Sequence, residues 1–233
     1  MLVPKVKDLN SQEEIKEVNT VVIDNIADPV QMFYSIDTEN EKERKKVIKT
    51  IEGIVRRSPE YSAFIGYLKN NLDLTKCTFH PDVNIKELKK TKLEFHHYPF
   101  TLYDITDTVL NKYLDDHSNI NPFEIAEEVM RLHYELKVGL VPLSKTMHEL
   151  AHAGKKFINL SHVSQSYLKF IAEYSSWINE DLIMNWQNLK DLSQKQDDGE
   201  LEETDILKDI KLEIRMSDVE LPLPVTIEQE IIA

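Results

Sequence analysis

Apolar side chains recur at helical spacing early in the chain. Val47, Ile48, Ile51, Ile54 and Val55 follow the i, i+3/i+4, i+7 rule of an amphipathic helix. Thr38-Glu39-Asn40-Glu41 matches a capping box ahead of that run, and Ser11-Gln12-Glu13-Glu14 matches another nearer the start. Ser58-Pro59 stops the helix and caps a second one through Phe64 and Leu68. After "NNLDL" the pattern changes, and "KCTFHPDVNI" and "KLEFHHYPF" read as extended. "DITDTVLNKYL" and "NPFEIAEEVMRLHYEL" return to helical spacing, the latter with Asn121 as cap and Pro122 at the first helical position. "KVGLVPL" is a short strand, Ser144 caps a short helix after it, and Gly154 ends that helix. Helical patterns then run from about Tyr167 to Leu192. The expectation is an α+β fold, mostly α.

Composition and charge narrow the classes. At 233 residues, 41% hydrophobic and 30% charged, the chain is an ordinary globular composition, and it has no internal repeat. A single cysteine, Cys77, excludes an internal disulfide and any multi-cysteine zinc site, so a metal would need His and carboxylate ligands. That usage fits a reducing compartment. No stretch reaches the roughly 18 uncharged apolar residues of a membrane span, and the start has no apolar signal region. A cytoplasmic protein with no membrane partner is therefore expected. The net charge of -13 is unevenly placed: from Asp191 onward 13 acidic and 4 basic residues give -9, against -4 for everything before. This acidic end reads as a solvated tail, a docking segment for a protein partner, or an arm that competes with DNA.

The chemistry concentrates in histidines. His148-Glu149-Leu150-Ala151-His152 can be read as H-E-x-x-H, a zinc-protease helix in which the Glu is general base. A third ligand would then be sought downstream, at Glu173 or Glu180. It can equally be read as H-x-x-x-H, with two imidazoles one helical turn apart and Glu149 an ordinary helix former. The protease reading leaves the adjacent pair His96 and His97, in "LEFHHYP", unexplained. It also places Gly154 where zinc-protease helices favour a hydrophobic residue. The remaining histidines, His80, His117, His133 and His162, read as packing or surface residues.

"LEFHHYP" followed by "GLVPLSKTMHELAHAGK" resembles the HNH, or ββα-metal, nucleases, and specifically the colicin-type version with histidines in place of zinc-knuckle cysteines. The resemblance covers 7 and 17 residues. It implies a small ββα core that cleaves DNA phosphodiester bonds. It also implies one divalent ion (Zn, Mg, Mn or Ni) held by His96, His148 and His152, with His97 as general base. Phage or mobile-element origin follows by the same analogy. Two features depart from the family. Gly139 stands nine residues before His148, where the family carries the Asn that pins the loop of the base. Either Asn119 or Asn121 takes over, or the site is slow or inactive, and an inactive metal-binding or phage structural protein is the alternative. The two halves are also separated by residues 98–136, an insertion of two helices.

Around the histidines the local charge is positive. Lys86, Lys89, Lys90 and Lys92 outweigh Glu87 and Glu94, and Lys137, Lys145, Lys155 and Lys156 outweigh Glu149. Lys89, Lys90, Lys92, Lys145, Lys155 and Lys156 are the expected DNA contacts. The insertion is net -6, which points it away from DNA or toward a protein partner. The expected division is a helical N-terminal region (1–75), a nuclease-like core (76–163) with its insertion, C-terminal helices (164–192) and the acidic tail (193–233).

Overall fold

The first predicted helix, α1 (Glu41–Arg57), forms as expected, but its cap is Asn40, whose side-chain oxygen accepts from the amides of Lys42 and Glu43. The structure is a computed structural model that describes residues 40–87, 92–117 and 119–209. Thr38 and the capping box at Ser11 lie outside those residues. Ser58 ends α1 and caps α2 (Pro59–Asn70) through the Tyr61 amide.

The remaining elements follow in the order β1 (Leu93–His97), α3 (Leu102–Asp116), α4 (Pro122–Tyr134), β2 (Leu140–Ser144), α5 (Lys145–His152), α6 (Tyr167–Tyr174), α7 (Glu180–Asp197) and α8 (Glu203–Asp209). The fold is α+β and mostly α. α3 starts at a capping box absent from the sequence reading, Thr101 with Asp104. α4 has the predicted Asn121 cap and Pro122 start. "KCTFHPDVNI" is mostly turn, with one bridge between Lys76 and Asn84. Cys77 there is buried, and its sulfur accepts from the Ser144 amide.

β1 and β2 pair antiparallel, with His96 opposite Val141 and His97 opposite Leu140. β2 runs directly into α5, which packs back on the same two strands, so the ββα order expected from the sequence is present. A small apolar cluster of Val141, Leu143 and Ile158, with Met147 and Ala151 of α5 against it, holds that helix on the sheet.

The insertion is not peripheral. α3 and α4 pack against α1, and Val47, Ile48, Ile51 and Val55 meet Ile105, Val109, Ile125 and Val129 in one core that also takes in Phe170 and Tyr174. Fully burying each such side chain contributes roughly 1.5–3 kcal/mol, so this cluster carries most of the apolar stabilisation. The N-terminal helices and the insertion thus share one interior, and the division at residue 75 has no counterpart in the packing. The insertion's acids are largely engaged internally. Glu128 and Glu135 pair with Arg131, Glu135 also with Lys137, and Asp107 with Arg44.

The C-terminal region also departs from expectation. The C-terminal helices predicted up to Leu192 are α6 and α7, but α7 continues to Asp197. α8 follows with Ile206 only 1% exposed, and Glu203 accepts from the Phe157 amide and pairs with Lys156 at 2.6 Å. The first part of the acidic stretch is therefore docked structure; residues beyond 209 lie outside the described part. Among the described residues no helix is long and apolar enough to cross a membrane.

Candidate metal centre

Strand pleating sorts the His pair. Successive residues of β1 point to opposite faces, so Glu94 and His96 share one face and Phe95 and His97 the other. α5 lies on the Glu94/His96 face. It presents His148 and His152 one turn apart, and the ring centroids of these two lie 5.1 and 4.8 Å from that of His96. One ring nitrogen from each of His96, His148 and His152 falls within 4.8 Å of the others, and this is the group of potential ligands found among the described residues.

Hydrogen bonding prepares this cluster for a cation. Glu94 Oε2 lies 2.6 Å from His148 Nδ1, so Nδ1 carries the proton and the Nε2 lone pair points into the cluster. The Nε2 atoms of His148 and His152 are 3.0 Å apart. Two ligands about 2.1 Å from one ion would be separated by roughly 3.0–3.4 Å, from right-angled to tetrahedral geometry. Nδ1 of His96 is buried without a hydrogen-bond partner among the described residues, an arrangement that costs free energy unless something else engages the ring. Burial first, and then the neighbouring His148 and His152, push the pKa of His96 down to about 3. The imidazole is therefore neutral, as a metal ligand must be. The residues fit a divalent ion with nitrogen ligands.

Glu149 takes no part. It is exposed and faces Lys145 at 3.7 Å, while Glu173 is held by Arg131 and Lys137 and Glu180 opens α7 at the surface. None of the three joins the cluster, so a protease-type ligand set does not assemble.

His97 lies elsewhere than expected. Its ring turns into the main core, 2% exposed, with Nε2 3.0 Å from Nε2 of His133. His133 Nδ1 donates to the Val129 carbonyl at 2.7 Å, which can only accept. Neutral His133 must then accept at Nε2, and His97 must donate from Nε2, leaving Nδ1 of His97 as its lone-pair nitrogen. Burial holds both histidines neutral, with His133 lowered to about 4. His133, read from the sequence as a packing residue, does pack edge-on against Tyr61 and Phe64, and it also fixes the tautomer of His97. Neither asparagine suggested for that duty performs it: Asn119 is exposed, and Asn121 caps α4 and donates to Glu124. At Gly139 no side chain fits, because a Cβ there would overlap the Tyr98 carbonyl and sit 2.8 Å from Val163 Cγ1. The close approach of the two strand ends, where the Tyr98 amide donates to Gly139 O, excludes the family asparagine.

A crevice of about 250 Å³ runs beside these groups, lined by Arg56, Tyr61, Ile65, Glu94, Phe95, His96, His97 and His148. Glu94, His133 and Arg56 are not among the site residues expected from the sequence. The period of two along β1 places Glu94 with His96, so a signal for it exists; Arg56 and His133 arrive only through the packing of α1 and α4. Among the expected DNA-binding lysines, Lys89 and Lys90 lie outside the described residues, and Lys92 and Lys155 are exposed. Lys145 is exposed beside Glu149. Lys156 is instead committed to Glu203 and to the face of Phe79, which is incompatible with a free phosphate contact.

Comparison with curated proteins and with solved structures finds no match. A family described as Bacteriophage G278-like virion protein matches residues 1–220, nearly the whole chain, and that description names a virion component and no catalytic activity. The match takes in both strands, all the histidines above and the helices around them, and on that extent the chain belongs to the bacteriophage G278-like virion protein family.

Proposed function

We propose that this virion-family protein carries a divalent-metal site of the ββα type and uses it to hydrolyse DNA phosphodiester bonds. The observation that carries the reading is the convergence of His96, His148 and His152 from β1 and α5, with Glu94 orienting His148 from behind. A bound ion would stabilise charge on the scissile phosphate and on the leaving 3′ oxygen. The chain's own groups supply the rest. Glu94 holds the His148 lone pair inward. His133 keeps the proton of His97 on Nε2, so Nδ1 is the atom that can take a proton from a water in the crevice. Arg56 lines the same crevice and adds positive charge where a phosphate would enter.

A second reading is favoured by a specific observation: His97 is 2% exposed, and the position of the family asparagine is a glycine where a Cβ would overlap the Tyr98 carbonyl. On that reading the ion staples α5 to the sheet in a structural virion protein and no cleavage occurs. The test is incubation of the full chain with supercoiled plasmid and Mg²⁺, Mn²⁺, Ni²⁺ or Zn²⁺, with EDTA and His148→Ala as controls. Nicking that EDTA stops and His148→Ala lacks supports the nuclease. Metal binding with no cleavage under any of these ions supports the structural staple.

A further inference from the structure

Apart from Arg56, which lines the crevice beside His96 and His148, the exposed face of α1 has no role in the packing or in the metal cluster. At 100° per residue, Lys42, Lys45, Lys46, Lys49, Arg56 and Arg57 fall within about 120° of the helix circumference, opposite Val47, Ile48, Ile51 and Val55. Lys42, Lys45, Lys46, Lys49 and Arg57 line one shallow cleft together with Thr50. Gly53 sits in the middle of this stripe, and the guanidinium of Arg57 occupies the space where a side chain at 53 would project, with Nη2 2.9 Å from an added Cβ. The other cation of the helix, Arg44, is turned aside and held by Asp107 and Asn111. No ion pair with a described residue is formed by Lys42, Lys45, Lys46 or Lys49, although the chain as a whole is net -13. Four lysines kept on one face of so acidic a protein, without carboxylates matched to them among the described residues, leave a positive surface that an external polyanion complements.

We infer that this face of α1 is a docking surface for the phosphate backbone of duplex DNA, which leads toward the His96/His148/His152 crevice. The stripe from Lys42 to Arg57 is about 22 Å long at 1.5 Å per residue, the length of roughly six base pairs. Its last two members divide between the two sites: Arg57 lines the basic cleft and Arg56 the crevice beside His96 and His148. A backbone lying along the lysines is thereby carried to the metal cluster. The inference rests on the nuclease reading for the choice of DNA as occupant, but its contacts are separate residues.

The experiment is fluorescence-anisotropy binding of the full chain to a 20-base-pair duplex in EDTA, from 50 to 300 mM salt, so that cleavage plays no part. With four to five phosphate contacts, log K should fall against log salt with a slope of about -4. Lys42→Gln/Lys45→Gln/Lys46→Gln/Lys49→Gln should flatten that slope by about 3 to 4 and lower affinity on the order of 10³-fold at 0.1 M salt. Lys49→Glu alone should weaken binding without altering the melting temperature, so misfolding of the quadruple variant cannot mimic the result. Absence of binding at 50 mM salt overturns the inference, as do unchanged affinity and slope in both variants. If the wild type binds through these lysines and cuts under no metal, the docking surface stands and the nuclease reading falls. Plasmid cleavage with binding indifferent to the lysines removes the docking surface and leaves the nuclease reading standing.

Discussion

Replacing His133 by Phe tests the buried imidazole pair. The ring shape and the edge contacts to Tyr61 and Phe64, at centroid distances of 5.6 and 5.3 Å, can be kept by Phe, while the acceptor for His97 Nε2 disappears. A buried donor left without a partner costs about 1–3 kcal/mol. His97→Phe should cost a similar amount by stranding Nε2 of His133. The double variant removes donor and acceptor together, so it should be less destabilised than the sum of the singles, with a coupling energy of about 1–3 kcal/mol. The pH dependence gives a second reading. The folded pKa of His133 lies below its unfolded value, at about 4, so the unfolded chain binds more protons in between. Its contribution is fully present above about pH 6.5 and is lost as pH falls toward 4. Between pH 7 and pH 5 that amounts to about 2 kcal/mol of wild-type stability, at 1.36 kcal/mol per pH unit at most. His133→Phe should show a shallower loss by that amount. Urea unfolding of the four proteins at pH 7, 6 and 5, all in EDTA to hold metal linkage constant, measures both quantities. Additive singles together with an unchanged pH profile in His133→Phe would refute the shared hydrogen bond and the neutral state assigned to the pair.

Zn²⁺ or Ni²⁺ should raise the thermal midpoint of the wild type, EDTA should reverse the shift, and His96→Ala, His148→Ala and His152→Ala should each abolish it; a full shift in any of them removes that residue from the site. Glu94→Gln should weaken metal affinity by roughly 10–100-fold in calorimetric titration, because the carboxylate that fixes the His148 tautomer is lost, whereas Glu149→Gln should leave it unchanged. Gly139→Ala should destabilise the fold by about 1–3 kcal/mol in urea through overlap with the Tyr98 carbonyl, and a neutral result would mean that the strand ends can separate at that point.

Local patterning determined most of the elements. The apolar spacing of α1, the Ser58-Pro59 break, the Asn121-Pro122 start and the Ser144 cap are interactions among residues within a turn of each other, so sequence neighbours suffice to specify them. The three imidazoles were legible for the same reason: His148 and His152 share a helix face by spacing, and His96 precedes them on a strand that the ββα order brings alongside. What needed the tertiary structure is whatever depends on residues far apart in the chain. The segment between the two motif halves is acidic and looks like an appendage, yet α3 and α4 form the main core because their apolar faces are complementary to that of α1, and its acids Asp107, Glu128 and Glu135 find Arg44, Arg131 and Lys137. The tautomer of His97 depends on His133, 36 residues away, because the pleat turns the ring inward. Of the lysines read as DNA contacts from the charge near the histidines, Lys156 is held by Glu203, because a net local charge does not reveal which cations already have carboxylate partners.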